Sequence, residues 1–557
     1  MLGTEYDRLS SLDHMYPVWE PHTLWTRFQQ SAERFPLQEY IIFEDCSFTY
    51  AQVKEQVNSV ARSLYALGVR PGTHIAVLLV NSPEFVFLTF ALAKLGAVKV
   101  PVNAGVAKEE LCHVLRQSDS SILFSKFILD EDLFSQCPEL RQVVVTEQNK
   151  LYTSPNLIYW AEFCALADQV RPDTVEQVAS ICQDPGAISD IMFTSGSTAR
   201  SKGVMLGHDM LLRSAYASCR TRRFELGRRM LILTPLFHAY AYVEGLLALL
   251  YVGGTLVMSR HRFEPHHALR LLRDFEVNDM IVLGSIMTKM LKEGQPKPED
   301  YPHLHAAYWA VSAPDWSWDA CRERFGIQDI TTGSGMTETC STCVLTRPTD
   351  PPDYVKKYDG ALKDAGCAGL SEYNGHLMEF KICDPATGEL LPQGAEGEIY
   401  YRGITVTAGY YKDTQATRRH FTPDGWLKSG DLWRMDQNGY LTFCGRCDDM
   451  YKINGENVSP LFVDFIIGQC PQVTAVETVG VVHPELGAVG VAFIEAIQDD
   501  HETKTSIEAY CLKHLARYQL PKYYFYSDSR SWPRTGTGKI SKKGLRTLAM
   551  QLLSQES

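Results

Sequence analysis

One alternation constrains the fold of this chain more than any other feature: apolar, strand-like runs take turns with helical segments. Residues 50–67 set Tyr50, Val53, Val57, Val60, Leu64 and Leu67 three or four apart, which is the spacing of one helical face. Gly68 follows as a C-terminal cap. Residues 74–80 are an apolar run bounded by Gly72 and by Asn81-Ser82-Pro83, and predict a buried strand. Residues 85–95 return to a helical pattern and stop at Gly96, and Val98-Lys99-Val100-Pro101-Val102 reads as a second strand. Strand, helix and strand at this spacing predict a parallel α/β sheet. The pattern recurs at residues 231–234, 246–251 and 255–258, and residues 25–35 predict an earlier amphipathic helix.

The texture changes after Asp384. Turn residues crowd together (Pro385-Ala386-Thr387-Gly388, Pro392-Gln393-Gly394, Glu396-Gly397-Glu398) around short runs such as Ile399-Tyr400-Tyr401. This predicts a β-rich unit. After Gly445-Arg446-Cys447-Asp448-Asp449 the chain reads as a small α+β unit. A length of 557 residues suggests three or four folding units at about 150 residues each. We expect a domain boundary between residues 1–447 and 448–557.

Charge and composition narrow the classes. Lys+Arg is 54 and Asp+Glu is 66, a net charge of −12. With no basic block, a nucleic-acid or anionic-membrane partner is not expected, because both need a Lys/Arg footprint. No basic stretch followed by an apolar run opens the chain, and residues 245–258, the longest apolar stretch, fall short of the roughly 18 residues of a membrane span. Fifteen cysteines without an export signal read as reduced thiols in a cytoplasmic protein. Two Cys-x-x-Cys pairs, Cys340/Cys343 and Cys444/Cys447, have the form of zinc ligands. They flank residues that we assign to other work, so zinc is not expected. The oligomeric state is not encoded in any motif.

Four segments carry chemistry. Thr194-Ser195-Gly196-Ser197-Thr198-Ala199-Arg200-Ser201-Lys202-Gly203 follows the apolar run Ile191-Met192-Phe193. Hydroxyls, converging N–H groups around Gly196 and the Lys202 cation suit a phosphate; a Ser/Thr-rich surface turn has the same composition. Thr332-Gly333-Ser334-Gly335-Met336-Thr337-Glu338-Thr339 sets a hydroxyl beside a carboxylate suited to Mg²⁺, or else a capped helix start. Asp431 and Arg446 offer an acceptor and donors for a ribose, or are ordinary surface charges. Pro533-Arg534-Thr535-Gly536-Thr537-Gly538-Lys539-Ile540 is a glycine loop presenting Lys539. Neither the first segment nor the last has the spacing of a Walker A loop.

In this order, from about residue 25 to 545, the segments resemble the adenylate-forming superfamily of acyl-CoA synthetases, luciferases and adenylation domains. The stretch Cys447-Asp448-Asp449-Met450 with Asn454-Gly455-Glu456-Asn457-Val458-Ser459-Pro460 most resembles acyl-CoA ligases of the crotonobetaine/carnitine and medium-chain type. The resemblance implies an α/β fold: a large N-terminal domain of two α/β sheets plus a β-barrel-like unit, and a small mobile α+β C-terminal domain. It implies that Thr194, Ser195, Gly196, Ser197, Thr198 and Lys202 wrap the ATP phosphates, Thr337 touches the α-phosphate and Glu338 holds Mg²⁺. Ser312, Ala313, Pro314, Gly333 and Ser334 would flank adenine, and Asp431 and Arg446 would grip the ribose. Lys539 would contact the carboxylate and the α-phosphate, Asp448 would be the hinge and Gly455 would line the CoA channel. His238 would gate an acyl pocket running near Tyr240, Tyr242, Gly284 and Trp309.

The implied activity is ATP-dependent ligation of a small carboxylic acid to CoA through an acyl-AMP. One alternative transfers the acyl group to a separate acyl carrier protein. Another, of a different class, is a non-catalytic nucleotide sensor. Three positions depart from the family pattern: Ser334 stands where an aromatic residue usually stacks on adenine, Gly207 precedes His208 where Thr is common, and Leu461-Phe462-Val463-Asp464 replaces an acidic stretch.

Overall fold

The computed structural model describes residues 5–127, 133–147, 156–194, 201–261, 263–310, 315–453, 456–483, 487–515, 517, 519–535 and 539–556. The chain divides into two compact units, one of residues 1–379 and 401–427, the other of residues 380–400 and 428–557.

The first unit contains two seven-stranded sheets of the same design. One runs in the order Leu157–Tyr159, Gln142–Val145, Ile122–Ser125, His74–Leu78, Val98–Pro101, Ile188–Thr194, Lys202–Gly207. Its strands pair in parallel except for the last two, which form an antiparallel edge. The other runs Asp329–Thr331, Ala306–Ala310, Asp279–Leu283, Arg229–Ile232, Thr255–Met258, Glu39–Phe43, Cys46–Thr49, again parallel up to one antiparallel edge pair. Both sheets are covered on both faces, which explains why their strands read as continuous apolar runs rather than alternating ones.

The largest core takes Ile75, Val77, Phe124, Met192 and Val204 from one sheet and Met230, Ile232, Leu256, Ile281 and Tyr308 from the other. It also takes the apolar faces of the helices Tyr50–Ala66, Pro83–Lys94 and His208–Thr221. The first helix ends as expected: Gly68 takes φ +89°, and the Gly68 and Val69 N–H groups donate to Tyr65 and Leu64. The helix Pro83–Lys94 starts with Ser82 as its cap and Pro83 in its first turn. Residues 246–251 fall in a π-helical turn, Tyr242–Leu247, that runs on into a 3₁₀ turn, Ala248–Val252.

Three antiparallel strands, Gly333–Met336, Ser341–Leu345 and Ala361–Leu362, form a small sheet in the first unit. The strands Met378–Cys383, Glu396–Gly403, Leu427–Met435 and Leu441–Arg446 form a four-stranded sheet in the turn-rich segment, where the sequence predicts a β-rich unit.

In the second unit, Val473–His483 pairs antiparallel with Gly487–Ala496, which pairs in parallel with Tyr523–Tyr526. The helices Pro460–Gly468 and His501–His514 cover one face and Lys542–Glu556 the other. Here Leu461-Phe462-Val463-Asp464 finds its explanation: Val463 enters the core, Asp464 accepts from Lys542 Nζ at 2.7 Å, and Leu461 and Phe462 face outward. None of the fifteen cysteines, all among the described residues, is joined in a disulfide. No described group of three or more His, Cys, Asp or Glu is placed to hold a metal ion. No helix among the described residues is long and apolar enough to cross a membrane.

A buried charge pair ties the hairpin edge to its parallel neighbour. Lys99 and Asp190 stand opposite each other in adjacent strands. Lys99 Nζ lies 3.2 Å from Asp190 Oδ1 and 2.8 Å from Thr89 Oγ1, and 3.8 Å from the Tyr242 ring centre. Burial pushes the lysine down to about 8 against the opposing pull of Asp190. Lys99→Met leaves the buried Asp190 carboxylate without its counter-charge, with only the Ser189 and Tyr242 hydroxyls of the described residues donating to it, and we expect a loss of about 3–5 kcal/mol in chemical denaturation. Lys99→Met with Asp190→Leu should recover most of it. A single variant as stable as the wild type would show that the pair does not hold the edge.

Candidate active site

The antiparallel edge sets the first part of the site. Thr194 pairs with Lys202 and Phe193 with Gly203, so the two residues that flank the hydroxyl-rich segment are opposed in the sheet. Its residues Ser195, Gly196, Ser197 and Thr198 lie outside the described residues, as do Ser312, Ala313, Pro314, Gly455, Gly536 and Gly538. Thr194 is half-buried. Lys202 is 8% exposed. Its Nζ lies 3.3 Å from His420 Nε2 and 5.1 Å from the centre of the Tyr410 ring.

Tyr410 belongs to a segment stitched along the same strand: it bridges Val204, and the Tyr411 N–H donates to Gly203 O at 2.8 Å. His420 ends the helix Thr414–His420, which Asp413 caps by accepting from the Ala416 N–H at 2.8 Å.

The second part is the turn Thr337–Thr339. Thr337 is half-buried and Glu338 is 6% exposed. Tyr410 Oη donates to Glu338 Oε1 at 2.8 Å, and the Thr407 N–H donates to Glu338 O at 2.8 Å. The turn is closed by Thr339 Oγ1, which donates to Met336 O at 3.0 Å. Cys340 and Ser341 then take φ +57° and +88°, backbone that costs a non-glycine residue about 1–3 kcal/mol. Strand pairing on either side holds it: Met336 opposes Ser341 and Gly335 opposes Thr342. Gly335 permits that approach, since a Cβ there would lie 2.1 Å from Ser341 O. Gly333 is buried and Ser334 half-buried in the same strand.

The expected acyl-pocket residues are not all brought together. His238 is exposed beside Phe237, with ring centres 4.6 Å apart. Tyr240 Oη donates to Tyr308 O at 3.0 Å. Tyr242 is fully buried and its hydroxyl donates to Asp190 at 3.3 Å. Gly284 is buried at the start of the helix Gly284–Glu293. Trp309 lies elsewhere: successive residues of a strand face opposite sides, so Tyr308 joins the core with Tyr242 while Trp309 stacks on Trp318 at 4.1 Å in the core behind the sheet.

In the second unit, Asp431 and Arg446 are cross-strand partners, with Arg446 Nη1 2.7 Å from Asp431 Oδ1. Gly430 takes φ +71° and its N–H donates to Glu398 Oε1 at 2.8 Å. Asp448 lies in the 3₁₀ turn Cys447–Asp449. Lys539 is exposed, and its carbonyl accepts from the Thr535 N–H at 2.7 Å, with Arg534 bridging Ile540.

Residues 28–411 match the profile of the family described as AMP-binding enzyme. The chain belongs to the AMP-binding enzyme family. Among curated members, a putative acyl-CoA synthetase, YngI, of Bacillus subtilis is 29% identical, covering 96% of this chain and 98% of that one. Crotonobetaine/carnitine–CoA ligase of Salmonella paratyphi A is also 29% identical, over 92% and 97%. Among solved structures, o-succinylbenzoate coenzyme A synthetase of B. subtilis, in complex with ATP and magnesium, aligns with a TM-score of 0.76 at 25% identity, over 94% and 98%. The anthranilate CoA ligase AuaEII, with anthranoyl-AMP, gives 0.81 at 23% identity, over 96% and 99%, a likeness of fold.

Two site residues escape a reading of the sequence. Tyr410 is 72 positions from Glu338 and His420 is 218 from Lys202, and no local pattern links them. The cap at Asp413 is legible, but it fixes where His420 sits on its helix and not what it meets. Tyr410→Phe removes the hydroxyl from a buried carboxylate, and we expect a loss of about 1–3 kcal/mol in denaturant unfolding. An unchanged midpoint would show that the hydroxyl does not support Glu338.

Proposed function

We propose that this member of the AMP-binding family is an ATP-dependent, AMP-forming acid–thiol ligase that makes an acyl-AMP and passes the acyl group to CoA. One observation carries this reading. Relatives named as a putative acyl-CoA synthetase and a CoA ligase align over nine-tenths or more of the chain, and so extend well beyond residue 411 into the second unit.

The chemistry has one central difficulty, since a carboxylate must attack a polyanion. Thr194, Ser195, Gly196, Ser197, Thr198 and Lys202 would receive the phosphates, with N–H and hydroxyl donors and a cation aimed at the charge. Thr337 would donate to the α-phosphate. The donor set fits Mg²⁺: Tyr410 holds Glu338 Oε1, which leaves Oε2 as a hard oxygen ligand. When bound there, the ion would neutralise phosphate charge. Gly333 and Ser334, with Ser312, Ala313 and Pro314, would line the adenine side. Asp431 would accept from the ribose hydroxyls, and its partner Arg446 would fix the carboxylate.

Lys539 would bridge the substrate carboxylate and the α-phosphate. A carboxylate oxygen attacks the α-phosphorus and pyrophosphate leaves. The sulfur of CoA then attacks the acyl carbon, and AMP leaves with the attacking oxygen. In this reading the chain after Asp448 turns about that residue between the two steps, with Gly455 beside the thiol, a gating device of the kind found in domain closures. His238, Tyr240 and Gly284 are the positions left to shape the acyl pocket.

Pyrophosphate exchange over a panel of short, medium and aromatic acids tests the first step, and added CoA tests the second. We expect exchange with one acid class and thioester on adding CoA. Exchange without thioester would turn the reading toward a carrier-protein acceptor, and ATP binding without exchange toward a nucleotide sensor. Lys539→Ala should abolish exchange and still form thioester from supplied acyl-AMP. If exchange survives, Lys539 does not bridge the carboxylate and the α-phosphate.

A further inference from the structure

Lys202 differs from an ordinary surface lysine in what holds it. Its ammonium meets an imidazole nitrogen and an aromatic face. The tautomer of that imidazole follows from its other nitrogen. His420 Nδ1 lies 2.9 Å from Ala416 O, and a carbonyl oxygen only accepts, so Nδ1 carries the proton. Nε2, 3.3 Å from the Lys202 ammonium, then has to offer a lone pair, since an ammonium only donates. The neutral ring is also what the surroundings favour. Burial lowers the affinity of His420 for a second proton, and Lys202 and Arg419 push the same way against Glu338 and the Ala416 carbonyl.

A neutral acceptor does something that a carboxylate cannot. It restrains a long, freely rotating side chain without cancelling its charge. The Tyr410 ring adds an attraction to the cation of the same kind, through its negative face, and the same tyrosine donates to Glu338. The His420 and Tyr410 rings pack edge to face, 5.3 Å apart. The cation of the loop and the carboxylate of the turn are thereby referred to one pair of rings.

We propose that His420 is a positioning residue that aims the Lys202 ammonium at the nucleotide phosphates without itself neutralising the charge they meet. The inference rests on the reading of Lys202 as a phosphate ligand.

Equilibrium binding of ATP by titration calorimetry, without any acid, tests it on the whole chain. His420→Phe keeps the ring against Tyr410 and loses the acceptor. We expect ATP affinity to fall by about tenfold or more, as for a lost hydrogen bond to a charged group. His420→Gln retains an acceptor and should stay within about threefold of the wild type, on the same scale. His420→Glu holds the lysine but cancels its charge, and should bind ATP more weakly than His420→Gln.

In a Lys202→Met background, His420→Phe should cost nothing further. Equal losses in the Phe and Gln variants, or a Glu variant that binds as tightly as Gln, would overturn the proposal, as would full additivity with Lys202→Met. The Glu and Gln pair decides the matter if the Phe chain does not fold. A wild type that fails to bind ATP would instead sink the nucleotide reading itself and this inference with it. Normal wild-type binding with unaffected variants sinks this inference alone.

Discussion

The pairing of Thr194 with Lys202 at the antiparallel edge of the first sheet is the constraint on which the candidate site depends. It sets the two residues that flank the hydroxyl-rich segment opposite each other, and it puts a lysine at the first residue of the returning strand. The pairing is secured from behind by the buried Lys99–Asp190 pair, one strand in, and from the side by the segment that carries Tyr410. A shift of one residue in this edge would turn Lys202 to the other face, away from Tyr410 and His420.

Electrostatics explains why the local arrangement matters more than the total charge. A chain with a net charge of −12 repels polyanions at a distance, yet nucleotide recognition needs only a few cations and oriented donors close at hand. The His420 and Tyr410 rings hold Lys202 without neutralising it, and Tyr410 links the same cation to Glu338. The strained backbone at Cys340 and Ser341 fixes the turn that carries Glu338, at a cost that the neighbouring strand pairing offsets.

Much of the fold was legible in the sequence. Period and punctuation place a helix over residues 50–67, which the structure forms at Tyr50–Ala66, with its glycine cap and the parallel strands on either side of Pro83–Lys94, because burial on both faces writes itself as continuous apolar runs. The facing of side chains was less legible. Trp309 reads as an aromatic lining residue, but a strand sends neighbours to opposite sides, and Tyr308 takes the side on which Tyr240 lies. Tyr242 reads the same way and is instead a hydrogen-bonding partner inside the core. Contacts between distant segments were not legible at all: neither Tyr410 nor His420 belongs to any of the four segments singled out by their composition, and only folding brings them to Glu338 and Lys202.

The central claim is that the carboxylate itself attacks the α-phosphorus, and oxygen tracing tests it most directly. An accepted acid labelled with ¹⁸O in both carboxylate oxygens, turned over with ATP and CoA, should give AMP carrying one labelled oxygen and pyrophosphate carrying none. Label in a released phosphate or pyrophosphate, or AMP with no label, would contradict the account.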